Sequence, residues 1–197
     1  MARSVMRTTL GQQYVKGFAP DAINREVNDF YSTPSVMTEA LLSVEKFEGS
    51  VWEPACGNGA ISRVLESNGY NVKSTDLIER GYGLGGYDFL LDKETKVNNI
   101  ITNPPFKLME EFINNSLSRT DRKVAILGRL ALLEGQGRRK IWDKTPISKI
   151  WVFSKRYSFL KPGESPYGSK GGKGGMIASA WFVWEHGYTG RPTIGWI

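Results

Sequence analysis

The chain has 197 residues, a formal net charge of +6, one cysteine, one histidine and 40% apolar residues. This composition is typical of one globular domain and excludes a wholly disordered chain, while a single cysteine excludes an internal disulfide framework. The sequence contains no run of 18 apolar residues and no hydrophobic signal at its N-terminus, so we expect a cytoplasmic protein without a membrane partner.

The predicted elements begin after an N-terminal arm at residues 1–28, which has neither helical nor strand periodicity. A single domain is expected over residues 29–197. It opens with a predicted helix that Thr33 caps and Pro34 starts. The predicted apolar face of this helix consists of Val36, Ala40, Leu41, Val44 and Phe47.

The rest of the chain alternates predicted strands with predicted helices. The strands are expected at residues 51–53, 71–75, 87–91, 99–102, 124–127, 150–153 and 180–184, and the helices at 60–68, 108–117 and 138–144. Such alternation predicts an α/β fold with a mainly parallel sheet. Residues 155–177 form a basic, Gly- and Lys-rich connection, and loops of that length are usually functional or disordered.

The positive charge is concentrated in one stretch of the chain. Residues 17–118 carry 8 basic and 15 acidic side chains, whereas residues 119–175 carry 14 basic and 4 acidic ones. This asymmetry is expected when one part of a domain meets a polyanion. Ordinary solvation of loops and helix faces explains the same counts equally well.

Two glycine patterns are candidates for a loop that binds a phosphate or a cofactor. A literal G-x-G-x-x-G spans residues 81–86, but it leads into a predicted strand, whereas such a loop must follow a strand and open a helix. We interpret it as a flexible linker. The turn at residues 53–59 has the required context, and Asp76 ends the next strand 19 residues after Gly57. An acid at that distance can bind ribose hydroxyls, which allows NAD, FAD or S-adenosylmethionine (SAM) as the cofactor.

The tetrapeptide Asn103-Pro104-Pro105-Phe106 follows the predicted strand 99–102, at the edge where open α/β sheets bind ligands. Its prolines fix the backbone and leave carbonyl acceptors beside the amide oxygen of Asn103. Two such acceptors suit the exocyclic amine of adenine, because holding both hydrogens draws the nitrogen toward tetrahedral geometry, and Phe106 can stack on the ring. Taken alone, the tetrapeptide fits a rigid strand-to-helix turn better than a base clamp.

Together, the motifs Glu53-x-Ala55-Cys56-Gly57-x-Gly59 and Asn103-Pro104-Pro105-Phe106 resemble those of class I SAM-dependent methyltransferases of the amino-methylating group. The chain is most similar to compact phage-type adenine-N6 DNA methyltransferases, over about residues 30–186. The resemblance implies a three-layer Rossmann-like fold whose seven-stranded, mainly parallel sheet has an antiparallel last strand at residues 180–184. It also implies the cytoplasm of a host cell if the gene belongs to a phage.

The resemblance implies a role for each matched residue. The implied catalytic residues are Asn103, Pro104, Pro105 and Phe106, which would clamp the target base. The implied SAM-binding residues are Tyr31, Thr33 and Pro34 over the methionine end, Glu53, Pro54, Ala55, Cys56, Gly57 and Gly59 around the methionine part, Asp76 and Leu77 at the ribose, and Asp88 and Phe89 at the adenine.

We expect nucleic acid, which the resemblance implies is DNA, to lie along the basic part of the chain. The predicted contacts are Arg138, Arg139, Lys140, Lys155, Arg156, Tyr157, Lys161, Lys170 and Lys173. Tyr157 and Phe159 are candidates for a second aromatic ring on the base, although either can belong to the core instead. In comparison with the larger members of the family, we expect no separate target-recognition domain, and an adenine buried in a duplex must be flipped to reach the clamp.

Other functions remain open on this sequence. The same chemistry can act on adenine in RNA or on a protein glutamine, although the glutamine enzymes usually have Tyr in place of Phe106. A non-catalytic nucleic-acid binder need not keep Gly57, Asp76 and Asn103, and nothing near the tetrapeptide handles hydride transfer. We expect His186 to be a surface residue and Cys56 to be a small residue of the turn with no metal bound.

Overall fold

The computed structural model describes residues 31–145, 147–158 and 177–197. The predicted N-terminal arm and most of the predicted basic loop at 155–177 lie outside these ranges. The expectations for Phe159, Lys161, Lys170 and Lys173 fall in that part and are not tested by the structure.

Four helices and seven strands form the described part of the chain. The helices are α1 (Ser35–Val44), α2 (Ala60–Ser67), α3 (Met109–Arg119) and α4 (Gln136–Lys144), with short 3-10 turns at Phe106–Leu108 and Leu130–Leu133. The strands are β1 (Val51–Glu53), β2 (Val72–Ser74), β3 (Val97–Thr102), β4 (Thr120–Arg129), β5 (Lys149–Val152), β6 (Ser179–Glu185) and β7 (Thr193–Trp196). None of the helices in these ranges has the length and apolar character that a bilayer span requires.

The seven strands form one sheet in the order β2-β1-β3-β4-β6-β5-β7. Strand β6 runs antiparallel to β4 and β5, and every other neighbouring pair is parallel. This confirms the predicted α/β fold with a mainly parallel sheet and a reversed strand at 180–184. The carboxyl ends of β1, β3 and β4 therefore meet at one edge, where the two sequence motifs lie.

Alternation along the strands creates two separate cores, one on each face of the sheet. In β4, Ala125 and Leu127 pack with α1 and α2, whereas Val124 and Ile126 pack with α3 and α4. Successive side chains of a strand point to opposite faces, so one apolar run supplies both cores. The result is a three-layer architecture of helices, sheet and helices.

The first helix differs from its prediction. It begins at Ser35, and neither Thr33 nor Pro34 supplies a side-chain cap. Its buried residues are Met37, Thr38, Leu41 and Leu42, while Val36 and Val44 are 40% and 36% exposed. The predicted buried face of α1 therefore differs from the observed one. The prediction used apolar character alone and placed Val36 and Val44 inside, whereas the helix buries the polar Thr38.

The predicted strand at 87–91 is wrong, because these residues form a turn. The carboxylate of Asp88 accepts the N–H of Leu90 at 2.9 Å, and the Asp88 carbonyl accepts the N–H of Asp92 at 3.3 Å. This local capping replaces strand pairing. The sheet still has seven strands because of β7, which the sequence pattern missed. Strand β7 pairs in parallel with β5.

A buried carboxylate ties the end of α1 to the sheet. Glu45 is 2% exposed, and its carboxylate accepts hydrogen bonds from Lys123 Nζ at 2.8 Å, Lys149 Nζ at 3.0 Å and Trp151 Nε1 at 3.0 Å. Burial raises the pKa of Glu45, but these three donors outweigh it and hold the pKa below its ordinary value. Because Trp181 Nε1 also donates to the carbonyl of Met37 at 2.8 Å, both ends of α1 are fixed.

Candidate functional site

The side chain of Asn103 lies directly after β3 at the carboxyl edge of the sheet. Its Nδ2 donates to Oγ1 of Thr33 at 3.0 Å, and Thr33 is 5% exposed. Thr33 comes just before α1, whose two ends are fixed to the sheet. This bond fixes the orientation of the amide, and the amide oxygen of Asn103 is the acceptor that the side chain can offer to a ligand.

The two prolines position different carbonyls. Pro104 is buried and Pro105 is half-buried with φ −54° and ψ 129°. The Pro105 carbonyl accepts the N–H of Leu108 at 3.0 Å, which starts the 3-10 turn leading into α3. That carbonyl is therefore used inside the turn. The predicted second acceptor, the carbonyl of Pro104, is the one that remains beside Asn103.

Phe106 is half-buried against the core formed by α3 and α4. The guanidinium carbon of Arg129 lies 4.4 Å from the centre of its ring, a cation–π contact. Arg129 is the last residue of β4, and sequence reasoning did not select it. The signal that would have found it is a basic residue ending a strand beside the strand that carries Asn103.

Asp76 joins the glycine turn to the end of β2. One carboxylate oxygen accepts the N–H of Gly57 at 2.8 Å, and the other accepts the N–H of Ile78 at 2.8 Å. Gly57 has φ 55°, a conformation that glycine adopts without strain. The structure thus brings together two residues that the sequence pattern paired at a distance of 19 positions.

Glu53 lies underneath the turn. It is 1% exposed, and its carboxylate accepts the hydroxyl of Ser62 in α2, which in turn lies 2.7 Å from the hydroxyl of Ser74. Burial raises the pKa of Glu53 well above its usual value despite the opposing hydrogen bond from Ser62. Any effect of Glu53 on a ligand passes through the turn and α2, since the carboxylate is enclosed.

Segment 81–86 is packed onto the glycine turn, which corrects its interpretation as a flexible linker. Leu84 pairs with the end of β2, donating its N–H to the carbonyl of Ser74 at 3.0 Å. The ring of Tyr82 lies where a side chain at residue 59 would be, since a Cβ on Gly59 would approach the ring to 2.5 Å. The Tyr82 hydroxyl donates to Glu66 of α2 at 2.7 Å. Gly59 is therefore needed for packing, whatever ligand the turn holds.

Replacing Gly59 with alanine is expected to lower the free energy of unfolding by about 2 kcal/mol. The cost of a left-handed backbone at φ 81° adds to the displacement of Tyr82. Urea unfolding measures this change in the free energy of unfolding. Gly69 has φ 83° with nothing within 4 Å of its Cβ position, so Gly69→Ala should cost only the backbone part, about 1 kcal/mol. In a Tyr82→Ala background Gly59→Ala should fall to the same value, and an undiminished cost there would contradict the packing explanation.

The two residues predicted to bind the adenine of the cofactor, Asp88 and Phe89, have different surroundings in the structure. Phe89 is 2% exposed and packs edge-on against Trp52, with ring centres 5.0 Å apart, so its ring belongs to the core. Asp88 stays half-buried in the turn that replaces the predicted strand. Leu77 and Ile78 follow Asp76 and are 57% and 37% exposed, which leaves apolar surface next to that carboxylate.

Among the predicted nucleic-acid contacts that the structure describes, two side chains are half-buried against the protein and four are exposed to solvent. Arg138 donates to the carbonyl of Ala131 at 2.7 Å and closes the end of the second 3-10 turn. Tyr157 is half-buried and packs edge-on against Phe153 with ring centres 5.5 Å apart. The side chains that lie in solvent are Arg139, Lys140, Lys155 and Arg156.

The remaining singled-out residues have structural surroundings. The ring of His186 lies 3.0 Å from the hydroxyl of Thr120, the first residue of β4 and hence far from its carboxyl end. Cys56 is buried, and burial together with the negative charges of Glu53 and Asp76 raises its thiol pKa to about 12, so it is a poor nucleophile. Within the described ranges, no cluster of three His, Cys, Asp or Glu residues is arranged to hold a metal ion.

Comparison with known proteins gives similarity of fold. No family model matches the chain, and no curated protein matches its sequence. Among solved structures, the modification subunit of a proposed type I restriction enzyme from Vibrio vulnificus YJ016 is 14% identical with a TM-score of 0.57, over 85% of this chain and 47% of that one. The chain thus spans about half the length of that subunit.

Two shorter proteins are similar over most of their own length. A protein from Pyrococcus horikoshii, proposed to be an RNA methyltransferase, has a TM-score of 0.55 and 15% identity over 79% of this chain and 86% of its own. A predicted O-methyltransferase from Agrobacterium tumefaciens has a TM-score of 0.56 and 12% identity over 83% and 86%. The chain has the Rossmann-like methyltransferase fold, and identities this low say nothing of the substrate.

Proposed function

We propose that the protein transfers a methyl group from SAM to the N6 amine of adenine in DNA. One observation carries the proposal. The amide of Asn103 is held by Thr33 at 3.0 Å with its oxygen left as an acceptor, three residues before Phe106 and at the ligand-binding edge of a methyltransferase fold. An acceptor followed so closely in the chain by an aromatic ring suits a planar amine.

The glycine turn and the end of β2 fit SAM. Each carboxylate oxygen of Asp76 accepts one backbone N–H and keeps a lone pair for a ribose hydroxyl. Leu77 and Ile78 offer exposed apolar surface for the adenine ring, and Asp88 lies in the following turn. The bound cofactor supplies an electrophilic methyl group. Tyr31 and Pro34 precede α1 and complete the proposed cofactor-binding set, while Thr33 between them holds the amide of Asn103.

The residues of the clamp act on the target amine. We expect the oxygen of Asn103 and the carbonyl of Pro104 to accept the two N6 hydrogens, so that the nitrogen lone pair becomes less delocalised into the ring. Phe106 stacks on the base and keeps it in place. No strong base is needed, because the alkylated nitrogen is cationic and releases its proton to water.

Charge supports a nucleic-acid substrate. Arg139, Lys140, Lys155 and Arg156 are exposed and follow the clamp in sequence, in the stretch of the chain with the largest positive excess. Such side chains suit contacts with phosphates. RNA is the second candidate, favoured by the similarity to a protein proposed to be an RNA methyltransferase.

Product identification tests the proposal. The protein is incubated with SAM carrying a labelled methyl group and, separately, duplex DNA, single-stranded DNA and RNA, and each polymer is digested to nucleosides. We expect label in N6-methyldeoxyadenosine. Label in the RNA nucleoside alone would establish the second candidate, and SAM binding without transfer to any polymer would indicate a non-catalytic binder.

Replacing Thr33 with valine is expected to lower kcat about tenfold with little change in the dissociation constant of SAM. Valine has nearly the same shape but cannot accept the hydrogen bond that orients the Asn103 amide, a loss of about 1–2 kcal/mol. Steady-state kinetics and calorimetric SAM titration measure the two effects.

Two further variants control this prediction. Thr33→Ser keeps the hydroxyl and should restore kcat. Thr38 is buried in α1, which follows Thr33, and its hydroxyl has no partner in the described structure, so Thr38→Val should leave kcat unchanged. A selective loss of SAM affinity in Thr33→Val would instead place Thr33 on the cofactor and contradict its role on Asn103.

A further inference from the structure

Arg129 lies beside the proposed base clamp. Strands β3 and β4 are paired so that Thr102, the last residue of β3, opposes Ile126, and β4 ends three residues later at the same edge. Asn103 follows one strand end and Arg129 is the other. The Arg129 guanidinium lies over the ring of Phe106, with its carbon 4.4 Å from the ring centre.

The guanidinium of Arg129 has neither of the partners that Arg122 and Arg138 have. Its Nε is enclosed without a hydrogen-bond acceptor, as is that of Arg119, but Arg119 also donates to the carbonyl of Lys93. In the described part of the chain no carboxylate pairs with Arg129, whereas Arg122 pairs with Glu48 and Arg138 binds a carbonyl. A half-buried cation without an acceptor among the described residues is costly, so an anionic ligand would stabilise it.

We propose that Arg129 binds a phosphate of the nucleotide whose base enters the clamp. The inference rests on the proposed function, since a nucleotide's own anion is its phosphodiester. A planar guanidinium can keep its face on Phe106 while its N–H groups donate in the plane to phosphate oxygens. The target base then stacks on the other face of the Phe106 ring. Arg129 therefore fixes both the ring and the nucleic-acid backbone that carries the base.

Salt-dependent binding tests the phosphate contact without using catalysis. The probe is a fluorescent, mixed-sequence single-stranded DNA, and its dissociation constant is measured by anisotropy at several salt concentrations. For Arg129→Met we expect about tenfold weaker binding at low salt and a slope of log K against log salt that is smaller in magnitude by about 0.7, as for one lost phosphate contact on a single strand. Arg122→Met is the matched control, and its slope should equal that of the wild type.

A conservative pair keeps the test decisive if the methionine variant does not fold. Arg129→Lys retains the charge and should keep the slope, whereas Arg129→Gln should lose it. A normal slope in Arg129→Gln, with DNA bound and the thermal midpoint unchanged, would overturn the proposal and leave Arg129 as a packing partner of Phe106.

The outcomes for the inference and for the proposed function are separable. A reduced slope in a protein that transfers no methyl group to adenine would contradict the proposed function and support the phosphate contact. Methyl transfer to adenine with an unchanged slope in Arg129→Gln would support the proposed function and contradict the phosphate contact. A wild-type protein that binds no DNA at any salt concentration would contradict both.

Discussion

Replacing Asn103 with alanine is expected to reduce methyl transfer at least about 100-fold and to leave the dissociation constant of SAM within a few-fold of the wild-type value. The substitution removes the acceptor oxygen that Thr33 leaves exposed to the target amine, but it touches neither Asp76 nor the glycine turn. Single-turnover transfer to DNA and calorimetric titration with SAM measure the two quantities.

Asn68→Ala is the matched control for this experiment. Asn68 caps α2, is exposed and bonds only a carbonyl of its own helix among the described residues, at 2.8 Å, so its loss should leave transfer unchanged. If Asn103→Ala lost SAM binding together with transfer, Asn103 would be a cofactor residue and the assignment of the clamp would be wrong.

Replacing Glu45 with glutamine is expected to lower the free energy of unfolding by about 3 kcal/mol at neutral pH. The change removes the buried carboxylate that pairs with Lys123 and Lys149 and leaves Lys123 with the longer contact to Glu185 at 4.0 Å, and the loss of one partner from a buried ionic group is strongly destabilising. Glu48→Gln is the matched control. Glu48 pairs with Arg122 in solvent, where its side chain is 79% exposed, so its loss should change stability little.

The Glu45 effect should depend on pH in a defined direction. The folded-state pKa of Glu45 lies below its ordinary value of 4.5, so the carboxylate stabilises the fold fully above that value. Its contribution is lost as the pH falls through the lower folded pKa. Urea unfolding of wild type and Glu45→Gln should therefore give a large difference at pH 7 that narrows below pH 4.5, and a difference that grew with acidification would contradict this account.

Sequence patterns predicted the parts of the fold that depend on local periodicity. The apolar runs of β3, β4 and β6 and the helix after Gly59 lie where expected, and β4 extends beyond its predicted ends because its pairing with β6 continues to Arg129. The strand at 87–91 failed because Asp88 caps a turn there. Strand β7 was missed because it is short and contains Gly195, which lies against the ring of Trp151.

The candidate site was predictable at the level of motifs but not of contacts. The sequence pattern selected Asn103, Phe106 and Asp76, and the structure adds that the Asp76 carboxylate accepts the N–H of Gly57 in the glycine turn. It could not predict that Thr33 bonds Asn103 across 70 positions, or that Tyr82 fills the space above Gly59. These contacts depend on tertiary packing between elements that no local period relates.

The anchoring of α1 has a consequence for the order in which the site forms during synthesis. The helix leaves the ribosome before the groups that hold it, because Trp151 on Glu45 and Trp181 on Met37 come 106 and 144 residues later. Contacts so distant in sequence form late. Until β6 is made, the end of α1 that carries Met37 lacks its hydrogen bond to Trp181, and Thr33, close to that end, has no fixed position from which to orient Asn103. A nascent chain therefore carries both motifs well before it can align them.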